Sequence, residues 1–489
     1  MKVFLTGATG FIGRALVLAL YRRGHSVVAW VRSPERARSQ LGEEAELLPM
    51  DVDQSALVSS LGQCEAVINL AGEPIFGRRW TPARRRALVE SRVLLTARLV
   101  SALKQAESPP AVLLSSSAVG YYGARGIERL DEESSPASDF LARLCQDWEG
   151  AAMQATSGKT RVVCLRTGIV LGHGGGALQQ MAGLFRLGLG GPLGNGRQFV
   201  PWIHLHDCIE MILAALEDPG MSGPLNLVGP APVMHRELAQ ALGRSMRRPA
   251  LVRAPRVALR ALLGQAADSL FASQKCYPDK AEAHGYRFRF RDISEALRDL
   301  LGPGDVRIRT LSNVDAQPLI DDAVYLKQRR PDSFLSTRTV LEAPLDSVFS
   351  FFSKPSNLGL LTPPGMGFTI RRADDLMANG ATIDYRLRVF GIPLGWRTRI
   401  ECWEDNQHFV DSQARGPYRA WWHEHRFSRQ SGYTVMEDRV YYAIPFGILG
   451  RLLNRLLIAQ QLRATFNYRA AAICFRFGSA PSENHGPQT

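Results

Sequence analysis

Residues 6–13 read Thr-Gly-Ala-Thr-Gly-Phe-Ile-Gly and follow directly on the apolar run Val3-Phe4-Leu5. A short buried strand that leads into three spaced glycines and then into a helical pattern is typical of a phosphate-binding turn. Gly7 permits the tight turn, Gly10 lets the backbone approach a pyrophosphate, and Gly13 permits close packing of the helix on the strand. The helix N-terminus offers unpaired N–H groups to the anion. This pattern predicts a dinucleotide-binding turn.

The sequence after this turn alternates apolar runs with helical patterns up to about residue 225. The predicted strands are Val3–Thr6, Ser26–Val31, Glu46–Met50, Ala66–Leu70, Ala111–Ser115 and Arg161–Arg166. Near-continuously apolar strands separated by helices indicate a parallel sheet covered on both faces. We therefore predict an α/β Rossmann-type doubly wound parallel sheet over residues 1–225, with a small helical substrate-side subdomain over residues 226–302.

The ends of these strands supply further candidate contacts for a dinucleotide. Arg32 stands where a chain that selects NAD usually carries Asp or Glu, and an arginine there can pair with the 2′-phosphate of NADP. Alternatively, Arg32 only caps the strand and stays solvated. We predict NADP(H) as the cofactor, with NAD as the alternative. The other predicted cofactor contacts are Gly7, Thr9, Gly10, Phe11, Ile12, Gly13, Asp51, Val52, Ala71, Gly72, Ser115 and Arg166.

Further motifs give residues 1–302 a recognisable family likeness. These motifs are Ser115–Gly123, Leu165–Gly172, Phe199–Asp207 and Gly223–Leu227. Together with the glycine turn they resemble the extended short-chain dehydrogenase/reductase family, in its nucleoside-diphosphate-sugar epimerase branch. The resemblance implies an NAD(P)-dependent oxidoreductase or epimerase, and it places Ser117 at the position of the family's catalytic Ser/Thr.

The chain departs from that family at two catalytic positions. The family uses a Tyr to transfer a proton and a Lys four residues later to lower the pKa of that Tyr. Residues 140–149 resemble this motif, but Leu141 occupies the Tyr position and Cys145 the Lys position. Because leucine cannot transfer a proton, the standard mechanism is absent as written.

Nearby residues could replace the missing pair. Tyr121 and Tyr122 follow Ser117 closely, so either could donate the proton, or both could pack around the nicotinamide. Arg143 or Arg125 would then have to supply the positive charge. The predicted catalytic residues are Ser117, Tyr121 and Tyr122.

The pattern changes after residue 302. Residues 303–332 keep no sustained period and are predicted to be a linker. Beyond them follow a strand, a short helix, alternating strands and a long amphipathic helix: Phe334–Leu341, Leu345–Phe352, Ile383–Val389, Trp396–Cys402 and about Leu449–Ile473. This order resembles the START-like helix-grip family (SRPBCC, polyketide cyclase/lipid-transfer), which implies an α+β ligand-binding domain over residues 333–477. Residues 478–489 are predicted to be a disordered tail.

The START-like resemblance implies an apolar cavity. Its candidate lining residues, which could equally be plain core, are Trp421, Trp422, Tyr441, Phe446 and Phe466. His423 and His425 share a strand face and could touch the cavity, but no catalytic constellation is recognisable around them. Four arginines of the last helix are assigned to its solvent face, with contact to a membrane surface as the alternative: Arg451, Arg455, Arg463 and Arg469.

Composition bounds the function further. The 489 residues carry a formal net charge of +13, but the arginines are scattered and no nucleic-acid motif follows. The seven cysteines form no C-x-x-C pair, and His204 and His206 lack further ligands at suitable spacing, so no metal site is predicted. We expect a cytoplasmic protein without a transmembrane segment.

These observations favour an atypical NAD(P)-dependent oxidoreductase or epimerase-like protein. Its predicted partner is a small, possibly hydrophobic molecule, with an apolar ligand in the second domain. The alternatives are a non-catalytic NADP(H)-sensing or ligand-binding protein and a true sugar-nucleotide epimerase.

Overall fold

A computed structural model describes residues 1–157, 159–302, 304–311, 317–320 and 323–480 of the chain. The chain divides into two compact units, residues 1–34 with 44–302, and residues 35–43 with 303–489. Most of the predicted tail, from residue 481 onward, lies outside the described residues.

The first unit is built on a seven-stranded sheet whose hydrogen-bonded neighbours all run parallel. Its strands are β1 (Lys2–Thr6), β2 (Ser26–Val31), β3 (Glu46–Pro49), β4 (Ala66–Asn69), β5 (Val112–Ala118), β6 (Arg161–Thr167) and β7 (Gly223–Leu227). Their spatial order is β7-β6-β5-β4-β1-β2-β3. The predicted parallel sheet of Rossmann type is therefore confirmed.

Helices connect these strands, because successive parallel strands need a crossover. They are α1 (Phe11–Arg22), α2 (Pro34–Leu41), α3 (Gln54–Gly62), α4 (Pro82–Val89), α5 (Leu95–Gln105), α6 (Phe140–Met153), α7 (Gly176–Arg186) and α8 (Leu205–Glu217). A π-helical turn, Glu90–Leu94, joins α4 to α5.

The region after β7 is mainly helical. It contains α9 (His235–Met246), α10 (Arg256–Leu263), α11 (Ala266–Leu270), α12 (Asp279–Ala283) and α13 (Ile293–Leu301). Short strand pairs of two or three residues accompany these helices and the loops after β5 and β6.

The order of the large sheet places the candidate site. Strand β1 lies between β2 and β4, so the chain leaves β1 on one side and returns to the sheet on the other. Ligands of open α/β sheets bind outside the carboxyl ends of the strands at such a switch point. The turn after β1 lies at this point.

The second unit is an eight-stranded antiparallel sheet with helices. Its strands are β8 (Arg307–Thr310), β9 (Ser333–Leu341), β10 (Thr369–Ala373), β11 (Thr382–Val389), β12 (Ile392–Glu404), β13 (His408–Arg415), β14 (Ala420–Gln430) and β15 (Tyr433–Ala443). They are ordered β8-β9-β15-β14-β13-β12-β11-β10. The helices are α14 (Val324–Arg329), α15 (Leu345–Phe352), α16 (Gly447–Leu453) and α17 (Ala459–Phe477), with a π-helical turn Asn454–Ile458 before α17.

Part of the segment predicted as a linker is regular structure. Strand β8 pairs with β9 in antiparallel register, and Tyr325 of α14 packs beside Trp422 with ring centroids 5.9 Å apart. The backbone N–H of Leu319 donates to Glu424 Oε1 at 2.7 Å. The partners in these contacts lie about 25 to 105 positions away along the chain. Local periodicity of the sequence therefore does not predict these contacts. The rest of the predicted linker at 303, 312–316 and 321–322 lies outside the described residues.

Among the residues that the structure describes, no helix has both the length and the apolar character that crossing a membrane requires.

Candidate functional site

The turn after β1 has no room for a side chain at two of its glycines. Gly7 has a φ of +71°, and a Cβ added there would lie 2.7 Å from the backbone carbon of Leu70. A Cβ on Gly13 would lie 2.1 Å from the carbonyl oxygen of Gly7. The turn is closed by a hydrogen bond from Gly10 N–H to that oxygen at 2.9 Å. Glycine is therefore required by geometry at residues 7 and 13.

The turn places the N-terminus of α1 at the switch point. The helix begins at Phe11 after an N-cap at Gly10, and no side chain caps it. The first N–H groups of a helix have no partner within the helix, so they can bind an anion here. Thr9, Phe11 and Ile12 are half-buried beside this terminus, and Gly10 is exposed.

A glycine-rich loop after β6 packs against this terminus. A Cβ added at Gly172, Gly175 or Gly176 would lie between 2.6 and 2.9 Å from ring carbons of Phe11. The small residues therefore let this loop contact the aromatic ring at the start of α1.

Arg32 lies directly after β2 with its side chain 79% exposed. Its Nη1 is 3.0 Å from Glu73 Oε1, and Arg84 Nη1 is 3.1 Å from the other oxygen of Glu73. The hydrogen bond from Arg84, together with that from Arg32, holds the pKa of Glu73 below its ordinary value. Exposed ion pairs contribute little to stability, so Arg32 can exchange this partner for a phosphate.

The loops after β3 and β4 bring the other predicted contacts to the same edge. Asp51 is exposed, and the carbonyl of half-buried Val52 accepts a hydrogen bond from Arg98 at 2.7 Å. The backbone N–H of Ala71 donates to Thr6 Oγ1 at 3.1 Å, and Gly72 follows in an exposed position.

Ser115 is enclosed below this edge. Its side chain is 1% exposed, and its Oγ accepts a hydrogen bond from Asn69 Nδ2 at 3.2 Å. Asn69 also accepts from Thr6 Oγ1 at 2.7 Å. Ser115 therefore helps to fix the carboxyl ends of β1, β4 and β5, and its side chain is not open to a ligand.

Ser117, at the carboxyl end of β5, belongs to a buried charged network. Its hydroxyl donates to Glu149 Oε1 at 2.6 Å, and Arg166 binds both oxygens of Glu149 at 2.9 Å. Burial disfavours the charge of Arg166, but the hydrogen bonds with Glu149 outweigh it and raise the pKa of Arg166. Arg166, predicted as a cofactor contact, is thus committed to Glu149 and only 3% exposed.

Tyr122 is placed in the interior. It is 0% exposed, its hydroxyl donates to Asn226 Oδ1 at 2.8 Å, and it accepts from Arg166 Nη1 at 3.0 Å. Burial raises the pKa of Tyr122. This differs from the predicted alternative of a proton donor, because both partners of the hydroxyl are internal.

Tyr121 has a different environment. Its ring lies under the Arg166 guanidinium, 3.6 Å from the guanidinium carbon, and is only half-buried. Of the two candidate tyrosines, only Tyr121 keeps a partly accessible side chain.

Leu141 and Cys145 lie close to the turn that follows Ser117. A Cβ added to Gly120, three residues after Ser117, would be 3.5 Å from Leu141 Cβ and 3.9 Å from Cys145 Sγ. Burial raises the pKa of the Cys145 thiol to about 12. Cys145 is therefore a neutral thiol.

A different arginine brings positive charge to this region. Arg92, on the π-helical turn, is 8% exposed and donates to the carbonyl of Glu73 at 2.8 Å. Its guanidinium carbon is 3.1 Å from the Cβ that Gly72 lacks and 5.2 Å from the ring centre of Trp148. Burial lowers the pKa of Arg92 to about 10, which still leaves it charged at neutral pH.

Arg125 and Arg143, which the sequence offered as sources of positive charge, bind other partners. Arg125 forms a bidentate pair with Glu128, and Arg143 Nε donates to the carbonyl of Ser138. Neither of these contacts involves Ser117, Glu149 or Arg166. The sequence offered one indication of Arg92, because this arginine stands among apolar residues of the segment that forms α4, the π-helical turn and α5.

The second unit encloses a cavity of about 190 Å³ between its sheet, α15 and α17. Most of its wall is aromatic or aliphatic, including Tyr385, Trp396, Trp421 and Phe466. The buried indole N–H of Trp396 has no hydrogen-bond partner among the described residues.

Two of the five predicted lining residues reach this cavity. Trp421 and Phe466 line it, but Trp422 and Tyr441 pack with α14 on the opposite face of the sheet. Successive strand residues point to opposite faces, so Trp421 and Trp422 cannot both face the cavity. Phe446 is 80% exposed before α16.

The cavity also contains a cluster of polar side chains that sequence reasoning did not assemble. His423 and His425 line the cavity from β14, Asp411 from β13 and Arg469 from α17. Asp438 of β15 lies behind the two histidines, 3.0 Å from His423 Nε2 and 2.8 Å from His425 Nδ1. Arg469, assigned to a solvent face from the sequence, is therefore a cavity residue.

Electrostatics in this cluster are dominated by burial and by Arg469. Burial lowers the pKa of His423 to about 4. Burial alone would raise the pKa of Asp438, but Arg469 and the two histidines hold it well below its ordinary value. Asp438 shares a strand face with Met436 and Val440, which stand two residues before and after it. A carboxylate between apolar residues of one face was the feature of the sequence that indicated this cluster.

Comparison with known families gives matches for the N-terminal region. Residues 3–227 match the family model described as the NAD dependent epimerase/dehydratase family, and residues 254–300 match a domain of unknown function, DUF1731.

Individual relatives extend this similarity. The chain is 38% identical over 303 residues to the chloroplastic epimerase family protein SDR39U1 homologue of Arabidopsis thaliana, covering 62% of this chain and 87% of that protein. It is 39% identical over 305 residues to epimerase family protein SDR39U1 of Mus musculus, covering 62% and 100%. A crystal structure of human epimerase family protein SDR39U1 (isoform 2) with NADPH is similar at 36% identity and a TM-score of 0.56, covering 62% of this chain and 99% of that one.

Proposed function

The chain belongs to the NAD-dependent epimerase/dehydratase family, and we propose that its N-terminal unit binds NADP(H) and exchanges a hydride with a small molecule. The observation that carries this proposal is the glycine turn, where a Cβ on Gly13 would lie 2.1 Å from the Gly7 carbonyl oxygen. Such a turn holds the N-terminus of α1, with its unpaired N–H groups, at the carboxyl end of β1. The human relative solved with NADPH supports the same cofactor class.

The residues present fit this cofactor. Gly7, Gly10 and the first turn of α1 would hold the pyrophosphate, and Arg32 would bind the 2′-phosphate. Asp51 and Val52 would border the adenine, and Ala71 and Gly72 would pass beside a ribose. Ser115 and Arg166 lie behind these residues, where their hydrogen bonds fix the ends of the strands. When bound, NADPH supplies the hydride.

Calorimetry on the full chain tests the cofactor. NADPH is expected to bind about 10- to 150-fold more tightly than NADH, since a charge-assisted hydrogen bond contributes about 1.5–3 kcal/mol. Arg32→Asp should abolish this preference. Arg253→Asp changes the net charge equally at an exposed residue outside the turn and should preserve the preference. Equal affinities for the two cofactors in the unmodified chain would refute the assignment of Arg32.

For the chemical step, we assign Ser117 and Tyr121 to the substrate side of the site. Glu149 orients the Ser117 hydroxyl, because Glu149 Oε1 accepts a hydrogen bond from it at 2.6 Å. Tyr121 is the partly accessible hydroxyl that could protonate a substrate oxygen. Arg92 contributes the positive charge that Cys145 cannot.

Oxidation of NADPH in the presence of a panel of carbonyl compounds, sugar nucleotides included, tests turnover. Ser117→Ala and Tyr121→Phe should each slow the reaction by about 10²–10⁴. Tyr21→Phe, at an exposed tyrosine of α1, is the control. An undiminished rate in the Tyr121 variant would remove that residue from the mechanism.

A second candidate function is NADP(H) sensing without turnover. It is favoured by Leu141 and Cys145 at the positions of the family's Tyr and Lys, and by the enclosed hydroxyl of Tyr122. Tight NADPH binding without oxidation by any member of the panel would support it. Turnover that depends on Ser117 would exclude it.

For the second unit, we propose a START-like helix-grip domain that binds a compact apolar molecule in its cavity. The antiparallel sheet, the long helix α17 and the aromatic walls support this proposal. An engineered apolar cavity of about 150 Å³ binds benzene, so the volume here is sufficient for a small ring or a short chain. The free N–H of Trp396 favours a ligand that carries a hydrogen-bond acceptor.

Thermal unfolding of the full chain with fatty acids of increasing length tests this proposal, because a ligand of the native state raises stability. Leu462→Trp would fill part of the cavity and should remove the effect. Leu452→Trp, on the exposed side of α16, should retain it. No stabilisation by any chain length would count against ligand binding.

A further inference from the structure

The polar cluster in the C-terminal cavity has the arrangement of a metal-binding site. Asp411 is paired with His423 across β13 and β14, and His425 with Asp438 across β14 and β15. Cross-strand partners lie on one face of a sheet, and residues two apart on a strand share that face. Three adjacent strands therefore present these four side chains together.

Asp438 determines which nitrogens of the histidines face inward. Its Oδ1 lies 3.0 Å from His423 Nε2 and 2.8 Å from His425 Nδ1. A metal-bound histidine donates its outer N–H to such a carboxylate, so Asp438 would accept from both of these nitrogens when an ion is bound. Neutral histidines in this tautomer present unprotonated His423 Nδ1 and His425 Nε2 on the opposite side.

Those two nitrogens point at a third acceptor. Asp411 Oδ2 is 3.4 Å from His423 Nδ1 and 3.0 Å from His425 Nε2. One ligand atom from each of the three residues lies within 4.8 Å of the other two. Bonds of about 2.0–2.2 Å to Zn²⁺ place tetrahedral ligand atoms about 3.3–3.6 Å apart, so small shifts of the side chains would admit an ion. Without an ion, a proton on His425 Nε2 can donate to Asp411 at 3.0 Å while Arg469 donates to His425 Nδ1 at 3.0 Å. A cation would replace that proton and contact Asp411 and both histidines.

The surrounding charges are consistent with a cation. Arg469 Nη2 is 3.3 Å from Asp438 Oδ1 and 3.0 Å from His425 Nδ1, so it compensates the charge of Asp438. With neutral histidines, the carboxylate of Asp411 then leaves the cluster at a net charge of −1. The side chains of His423, His425 and Asp438 are between 3 and 6% exposed, and an uncompensated charge in such surroundings is costly.

We propose that Asp411, His423 and His425 bind a divalent first-row transition ion such as Zn²⁺, with Asp438 as the carboxylate that orients both histidines. Two imidazoles and one carboxylate are a ligand set of catalytic zinc and non-haem iron sites. A carboxylate that accepts the outer N–H of a ligating histidine is the usual support of such sites. Three protein ligands leave further coordination positions, and the cavity that these residues line gives a ligand access to them. The proposal does not depend on NADP(H) binding by the first unit.

The test is a titration of the untagged full chain, stripped with a chelator, with Zn²⁺ by calorimetry and with Co²⁺ by visible absorption. One equivalent of each ion should bind, with the ligand-field bands of nitrogen and oxygen coordination for Co²⁺. Asp411→Asn and His425→Gln should each weaken binding by at least about 100-fold, and Asp438→Asn by about 10- to 100-fold.

Two features keep this test decisive. Asp411→Asn preserves shape and lets the amide donate to the facing imidazoles, so the variant should stay folded, which cooperative thermal unfolding verifies. His408→Gln removes a histidine of β13 that lies outside the cluster, beside Glu404, and should bind both ions like the unmodified chain. Failure of the unmodified chain to bind either ion stoichiometrically would overturn the proposal. Unchanged affinity in both Asp411→Asn and His425→Gln would overturn it as well, by placing the ion elsewhere.

Discussion

Gly13 occupies the third position of α1, where the missing Cβ lets the helix approach the turn after β1. The nearest atoms to an added Cβ are the carbonyl oxygen of Gly7 at 2.1 Å and the Cα of Ala8 at 2.9 Å. Both are backbone atoms, so the turn itself would have to move. The same atoms shape the site for the pyrophosphate.

Gly13→Ala is therefore expected to weaken NADPH binding by at least about 10-fold and to lower the free energy of unfolding by about 1–3 kcal/mol. Gly150→Ala is the matched control, because its added Cβ in α6 has nothing within 4 Å. That control should raise stability by about 0.5–1 kcal/mol. Calorimetry and urea unfolding provide both quantities, and unaltered NADPH affinity in Gly13→Ala would refute the assigned turn.

Arg92 is a buried cation whose hydrogen bonds go to backbone carbonyls and a serine hydroxyl, not to a carboxylate. Arg92→Met should change the free energy of unfolding by no more than about 1 kcal/mol, since the lost hydrogen bonds are offset by removal of a buried charge. NADPH affinity should nevertheless fall by about 10-fold if Arg92 replaces the family's lysine beside the ribose. Arg86→Met, at an exposed arginine of α4, is the control for titration calorimetry. Identical affinities for Arg92→Met and the unmodified chain would make Arg92 a purely structural residue.

Among the elements, β8 and α14 alter the boundary of the second unit. Strand β8 covers the edge of β9, and α14 packs on the cluster of Phe334, Trp422 and Tyr441. A domain that begins at residue 333 would expose both surfaces.

A fragment of residues 304–480 should therefore unfold cooperatively in urea, and a fragment of residues 333–480 should be less stable by at least about 3 kcal/mol. The reason is that each buried large apolar side chain contributes about 1.5–3 kcal/mol. Tryptophan fluorescence reports the transition, since Trp422 lies beside Tyr325 of α14. Equal stabilities for the two fragments would mean that residues 304–332 are a linker.

The whole molecule contains two units that each enclose their own hydrophobic clusters. Scanning calorimetry of the full chain is expected to resolve two transitions. NADPH at about 100 times its Kd should stabilise one of the two units by about 2.7 kcal/mol. Zn²⁺ should raise the transition temperature of the other unit only. Asp411→Asn should remove the response to Zn²⁺ and preserve the response to NADPH. A single transition that both ligands shift would contradict this division.

The amino-acid sequence by itself determined the parallel sheet, the glycine turn and the position of the long C-terminal helix. These features depend on short-range properties: apolar runs that a strand buries, the space that glycine leaves, and the periodicity of helix faces.

The tertiary structure decided which polar groups meet and which are enclosed. Tyr121 and Tyr122 are adjacent in sequence, but only contacts with Asn226 and Arg166 place Tyr122 in the interior. Arg92 reaches Gly72 from a π-helical turn, and Asp411 and Asp438 meet His423 and His425 through the register of three strands. Distance and burial at these places depend on partners 12 to 104 residues away, so no local pattern could predict them.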